Sequence, residues 1–169
     1  MSDNSDELIF SPEEEKIENL SSKPGWKVLI VDDEPSIHDV TKLALKSFTF
    51  DGRELDFIHA YTGQEARQIL MHENSIALAL VDVVMETEHA GLELIHYIRN
   101  ELQNKMIRLV LRTGQPGEAP ERKVILDYDI NDYKEKSELT TQKLFSTVLT
   151  SLRSYRDLEN LNNNRKGLH

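Results

Sequence analysis

Five side chains of complementary chemistry stand at the ends of apolar runs. Residues 27–31 lead directly into Asp32, Asp33 and Glu34; residues 77–85 are apolar apart from Asp82; residues 107–111 lead through Arg112 to Thr113 and Gly114; a weaker run, 129–133, is followed by Lys136 and Ser137. Three carboxylates brought within a few ångströms of one another repel until a proton or a cation relieves them. A hard divalent ion with oxygen ligands and retained waters, most naturally Mg2+, would do so. It would also neutralise charge on an incoming phosphoryl group, leaving one carboxylate as a nucleophile. The Thr113 hydroxyl and the Lys136 ammonium can each hydrogen-bond a phosphoryl oxygen, and Gly114 gives room for close approach. Taken singly these residues mean little, since paired acids after a strand are often helix caps. Four run ends with matching groups are what carry the reading.

That chemistry needs the run ends to meet. A short Val- and Leu-rich run between polar flanks reads as a strand buried on both faces of a parallel sheet. An acid inside it belongs at the strand's C-terminal end, beside a cation, where open α/β sheets place their ligands. Helices are expected between the strands. Pro35 starts one that ends near Ser47, with Ile37, Val40, Leu43, Ala44 and Leu45 as its packing face. A polar connector, residues 48–54, leads to a second strand over 55–60, and Thr62-Gly63-Gln64-Glu65 reads as a capping box for the next helix. Residues 91–102 place Leu92, Ile95, Ile98 and Leu102 on one face. Residues 107–112 form the fourth strand, 114–120 a loop, 121–126 a short helix and 129–133 the fifth strand. A last helix runs from near Ser137 to about Leu161, longer than a single domain needs. Strands alternating with helices argue for a parallel sheet covered on both faces.

The chain has 169 residues, 38% of them hydrophobic and 30% charged, enough for one domain with a sizeable core and some extra length. No apolar run approaches the roughly 20 residues needed to span a membrane. The acidic N-terminus lacks a signal-peptide core, and the absence of cysteine excludes disulfides and thiolate zinc sites, which fits a cytoplasmic location. The net charge of −10 is uneven: −5 over residues 1–26, −8 over 27–133 and +3 over 134–169. Nucleic acid is therefore not expected as a direct partner, because phosphate binding needs clustered Lys and Arg. Residues 1–25 read as an acidic arm and linker, with a short helix from Pro12 to about Leu20 or a solvated arm anchored by Leu8, Ile9 and Phe10 as equal readings.

Val31-Asp32-Asp33-Glu34-Pro35, Val81-Asp82, Arg112-Thr113-Gly114 and Asp132-Tyr133-Lys134-Glu135-Lys136, in that order, resemble the motifs of the response-regulator receiver domain of two-component signalling. The resemblance covers about residues 26–155. It implies a flavodoxin-like, doubly wound five-stranded parallel sheet of order 2-1-3-4-5 with an extended C-terminal helix. It further implies that Asp82 is the phosphoacceptor, that Asp32, Asp33 and the Val84 backbone carbonyl join it around Mg2+, that Thr113 and Lys136 hold the phosphoryl group, and that the Tyr133 rotamer follows Thr113. A sensor histidine kinase or phosphotransfer protein would be the donor. The face made by the short fourth helix, with Val124 and Ile125, the fifth strand and the last helix would be the one repacked. That face or the last helix could join two copies of the chain.

Three departures from the family pattern stand out: Glu86 where proline is common, Ser137 where proline follows the lysine, and a long connector after the first helix. The Leu111-to-Gly117 and Tyr128-to-Tyr133 stretches resemble receivers at the start of bacterial regulators with cyclic-di-GMP (HD-GYP or GGDEF) outputs. The expected division is an arm over 1–25, the receiver over 26–150 and a helical extension over 151–169 toward an output domain outside this chain, with no enzyme activity in the chain itself. A docking or dimerisation module independent of phosphate is the rival reading. A metal phosphohydrolase built on His38-Asp39 lacks its second His-Asp set, and an aspartyl phosphatase would need different acid spacing.

Overall fold

A computed structural model describes residues 23–114, 127–136 and 141–167. The helices expected over residues 12–20 and 121–126, most of the loop 114–120 and the peptide between Lys136 and Ser137 lie outside them. The elements run β1 (Trp26–Val31), α1 (Pro35–Ala44), β2 (Leu55–Ala60), α2 (Gly63–His72), β3 (Ile76–Asp82), α3 (Ala90–His96) extended by a π-helical turn (Tyr97–Glu101), β4 (Arg108–Thr113), β5 (Asp132–Glu135) and α4 (Thr141–Gly167). The five strands form one parallel sheet of order 2-1-3-4-5, the flavodoxin-like arrangement expected.

All seven residues of β3 are buried, which is why the strand reads as a continuous apolar run rather than an alternating one. Its side chains divide between two cores. Ala79 and Val81, with Leu29, Leu109 and Leu111 from neighbouring strands, pack with Leu70 of α2 and Leu94, Ile95 and Ile98 of the α3 segment. Leu78 and Leu80 pack on the other face with Leu144, Val148 and Leu152 of α4 and with Leu45 just past α1. Each fully buried aliphatic side chain contributes about 1.5–3 kcal/mol relative to exposure. The sheet ends are therefore held rigidly in register.

Three elements depart from the sequence expectation. In α1 the residues read as its packing side divide: Leu45 is buried and Ala44 packs beside it, but Val40 is 61% and Leu43 72% exposed, and His38 and Thr41 are buried in their stead. The inward polar side chains are satisfied, since His38 Nε2 lies 2.8 Å from the Asp32 carbonyl oxygen and Thr41 Oγ1 donates to the Ile37 carbonyl. The fifth strand covers residues 132–135 rather than 129–133, because Asp129 sits at φ 52° and breaks the extended run. The last helix reaches Gly167; its 27 residues span about 40 Å at about 1.5 Å per residue. The long connector before β2 is no loose loop, because Phe48 is buried and Phe50 and Arg53 exchange backbone hydrogen bonds around Asp51 and Gly52, both at positive φ. Thr62 caps α2 as expected by accepting from the Glu65 amide, and Glu65 reaches back to Tyr61 N.

Candidate functional site

The residues singled out in the sequence meet at the C-terminal edge of the sheet. Asp32 follows β1, Asp82 is the last residue of β3, Thr113 the last of β4, and Lys136 follows β5. Val31 pairs with Val81 and Thr113 with Glu135, so the parallel register brings these positions side by side. Asp32, Asp33 and Asp82 each bring a carboxylate oxygen within 4.8 Å of the others. Asp32 and Asp82 are buried, whereas Asp33 is exposed at the mouth. Lys136 Nζ lies 3.1 Å from Asp32 Oδ2 and 3.3 Å from Asp82 Oδ2, bridging the two buried acids.

The charges set one another. Burial and the neighbouring Asp32 push the Asp82 carboxyl up from its ordinary 3.8 to about 6, against the pull of Lys136. Burial works against the Lys136 ammonium, but Asp82 and Asp32 outweigh it and hold it above its ordinary value. Asp32 Oδ1 accepts from the Glu34 amide at 2.9 Å, while the buried Oδ2 is in ion-pair contact with Lys136 at 3.1 Å. A buried carboxylate oxygen with an open lone pair, facing two more carboxylates, suits a hard oxygen-seeking cation. Val84, half-buried, lies two residues beyond Asp82, and Tyr133 is buried on β5 opposite Leu111.

Residues 28–148 match the family described as the response regulator receiver domain. The chain belongs to that family. It is a receiver domain of the kind used in two-component signalling, as its motifs led us to expect. Among curated relatives, 3'3'-cGAMP-specific phosphodiesterase 2 of Vibrio cholerae serotype O1 is 54% identical over 156 residues, which are 92% of this chain and 30% of that protein. The receiver thus spans under a third of that relative's length. A response regulator receiver protein from Pseudomonas putida is 27% identical, with a TM-score of 0.60 over 73% of this chain and 95% of that one. An adenylate cyclase from Rhodopirellula baltica, 18% identical, shares the fold with a TM-score of 0.70 over 84% of this chain and 98% of that one.

Around the acids the receiver has features that residue type alone did not reveal. His38 and His59, 21 residues apart, bring their Nδ1 atoms to 2.7 Å, with the Tyr61 ring 4.4 Å from the His38 ring. Burial, His38 and Lys42 together lower the His59 pKa below its ordinary value. Arg99, buried, donates to the carbonyls of Asp129, Asn104 and Ile107 and to Asn131 Oδ1, which also accepts from Leu109 N. That cradle ties the end of α3 to the entry of β5 and so sets where Tyr133 and Lys136 stand.

Glu86, the departure after Met85, has a structural role. Its carboxylate accepts from Gly63 N at 2.9 Å and Gln64 N at 3.3 Å, capping α2 from the β3–α3 loop. Partial burial opposes its charge, but the bonds from Gly63, its own amide and Gln64, with Arg67 nearby, hold the carboxyl below its ordinary value. A depressed carboxyl stabilises the fold above its unfolded pKa and stops doing so as pH falls through the folded one. We expect Glu86→Gln to cost about 0.5–1 kcal/mol at neutral pH. The gap to wild type in urea denaturation should narrow as pH falls below the ordinary glutamate range and close as it passes the lowered folded pKa.

Proposed function

We propose that Asp82 accepts a phosphoryl group from a phosphohistidine and that the aspartyl phosphate so formed switches the receiver's surface to control an output of cyclic-dinucleotide turnover. The observation that carries the reading is Lys136 bridging Asp32 and Asp82 at the shared sheet edge where Asp33 and Thr113 also lie. A bound divalent cation, Mg2+ from the oxygen donor set, would be held by Asp32, Asp33, Asp82 and the Val84 carbonyl and would supply positive charge to the entering phosphoryl oxygens.

In the transfer, an Asp82 carboxylate oxygen attacks phosphorus in line. The N–P bond of the donor breaks, its electron pair stays with the imidazole, and an O–P bond forms. In hydrolysis a water oxygen attacks phosphorus and the O–P bond breaks, returning the carboxylate and inorganic phosphate. Lys136, shared between two carboxylates before transfer, then has phosphoryl oxygens as its strongest partners. The Thr113 hydroxyl donates to the same group. Tyr133 pairs with Leu111 two positions before Thr113, so a shift at the end of β4 acts directly on its surroundings. The added charge of about one to two units thereby biases a two-state surface.

The donor is a sensor histidine kinase or a phosphotransfer protein. The name of the Vibrio relative supports a cyclic-dinucleotide phosphodiesterase as the output. In the proposed division residues 1–25 are an arm, 26–150 the receiver and 151–169 a connector toward that output. The far half of α4, where Leu161 is 60% exposed, then carries the signal onward. The test is intact mass after incubation with acetyl phosphate and Mg2+. One phosphoryl adduct, lost with chelator, is expected; no adduct despite bound Mg2+, and none from a phosphohistidine donor, would overturn the reading.

A further inference from the structure

Arg112 stands in register with Asp82 across β3 and β4, so both side chains leave the same face of the sheet. That face, two residues earlier, is the one on which Leu80 and Val110 pack with α4. Arg112 is 4% exposed and donates Nη1 to Thr41 Oγ1 of α1 at 3.1 Å. Its Nε and Nη2 are buried without a hydrogen-bond partner. Among the described residues no carboxylate touches it in an ion pair. A buried guanidinium in that condition is costly unless nearby negative charge offsets it through space. Asp32 and Asp82 supply that charge: burial lowers the Arg112 pKa below its ordinary value, and these two acids offset part of that loss.

We infer that Arg112 is a fixed second cation of the phosphoryl site, set beneath Asp32 and Asp82, that favours the phosphorylated state and weakens cation binding in the resting one. The inference rests on the acceptor role of Asp82 proposed above. In the resting site three carboxylates face two cations, Lys136 and Arg112, leaving one negative charge. A phosphoryl dianion in place of the Asp82 carboxylate charge adds one more negative charge. With a divalent cation present, the phosphorylated site is then neutral, and it is neutral only because Arg112 contributes. Removing the guanidinium leaves the resting site more negative and the phosphorylated site in deficit.

The two effects have opposite signs, which a merely structural role for Arg112 would not produce. The full chain is titrated by calorimetry with Mg2+ alone, and by fluorine NMR with trifluoroberyllate, a phosphoryl mimic, at saturating Mg2+. For Arg112→Met we expect Mg2+ to bind about threefold or more tighter and trifluoroberyllate about threefold or more weaker. Arg112→Lys should stay near wild type in both, and Thr41→Val, which removes the hydrogen bond but not the charge, should leave both constants unchanged. If Arg112→Met does not fold, Arg112→Gln set against Arg112→Lys gives the same comparison. Constants unchanged, or both weakened together, overturn the inference. Wild-type protein that binds neither probe overturns the acceptor reading itself.

Discussion

Asp82→Asn is expected to abolish the phosphoryl adduct and, in the presence of chelator, to make the protein more stable near neutral pH. The first effect follows from chemistry, because an amide oxygen is no substitute for the attacking carboxylate. The second follows from charge. Asp82 is buried beside Asp32, and its carboxyl titrates at about 6 instead of the ordinary 3.8. A carboxyl whose folded pKa is raised costs stability wherever it is ionised in the fold, so the cost is full above about pH 6. As pH falls from about 6 toward 4 the folded state takes up the proton first, and the cost fades. The asparagine variant should therefore exceed wild type by about 1–3 kcal/mol near pH 7 and converge with it near pH 4. Urea denaturation at the two pH values, beside intact mass after acetyl phosphate, checks both halves. An adduct that persists in the variant would place the acceptor elsewhere.

Asp82 was legible because the sequence makes it conspicuous. An apolar run that is buried on both faces tolerates a carboxylate only where a ligand or cation awaits it, and the order of the other run ends supplied Asp32, Asp33, Thr113 and Lys136. The sheet order was legible for a related reason, since alternating strands and helices leave few ways to cover both faces. The phase of α1 was not. Periodicity treats polar residues as outward-facing, but His38 and Thr41 face inward because the Asp32 carbonyl, His59 and Arg112 satisfy them. Those partners lie 6, 21 and 71 residues away, and spacing along one helix carries no trace of them. The start of β5 was missed similarly. Asp129 at φ 52° and the Arg99–Asn131 bond delay it, and neither is marked by a glycine or proline. Glu86 could be seen as a departure from pattern, but its amide partners on α2 lie 22 and 23 residues earlier in the chain.

Gly91→Ala should unfold the site without touching any of its charged groups. The α3 segment begins against the end of β3, where Gly91 N donates to the Val83 carbonyl at 2.9 Å. A Cβ at this position would collide with the Asp82 carbonyl oxygen and stand 2.8 Å from both the Asp82 carbonyl carbon and Val83 Cα. All three obstacles are backbone, so no rotamer change relieves them. Either α3 withdraws, opening the core that Leu94 and Ile95 close, or the strand end moves and takes Asp82 with it. Overpacking of this kind costs about 3 kcal/mol. Gly63→Ala is the control, because its nearest atom is Glu86 Oε1 at 3.4 Å, an ordinary van der Waals contact that leaves the Glu86 cap in place. We expect a clear drop in the urea midpoint for Gly91→Ala, little change for Gly63→Ala, and a reduced yield of phosphoryl adduct for the first alone. A Gly91→Ala midpoint equal to wild type would mean that α3 does not hold the end of β3, and that Asp82 owes its position to Lys136 and Asp32 instead.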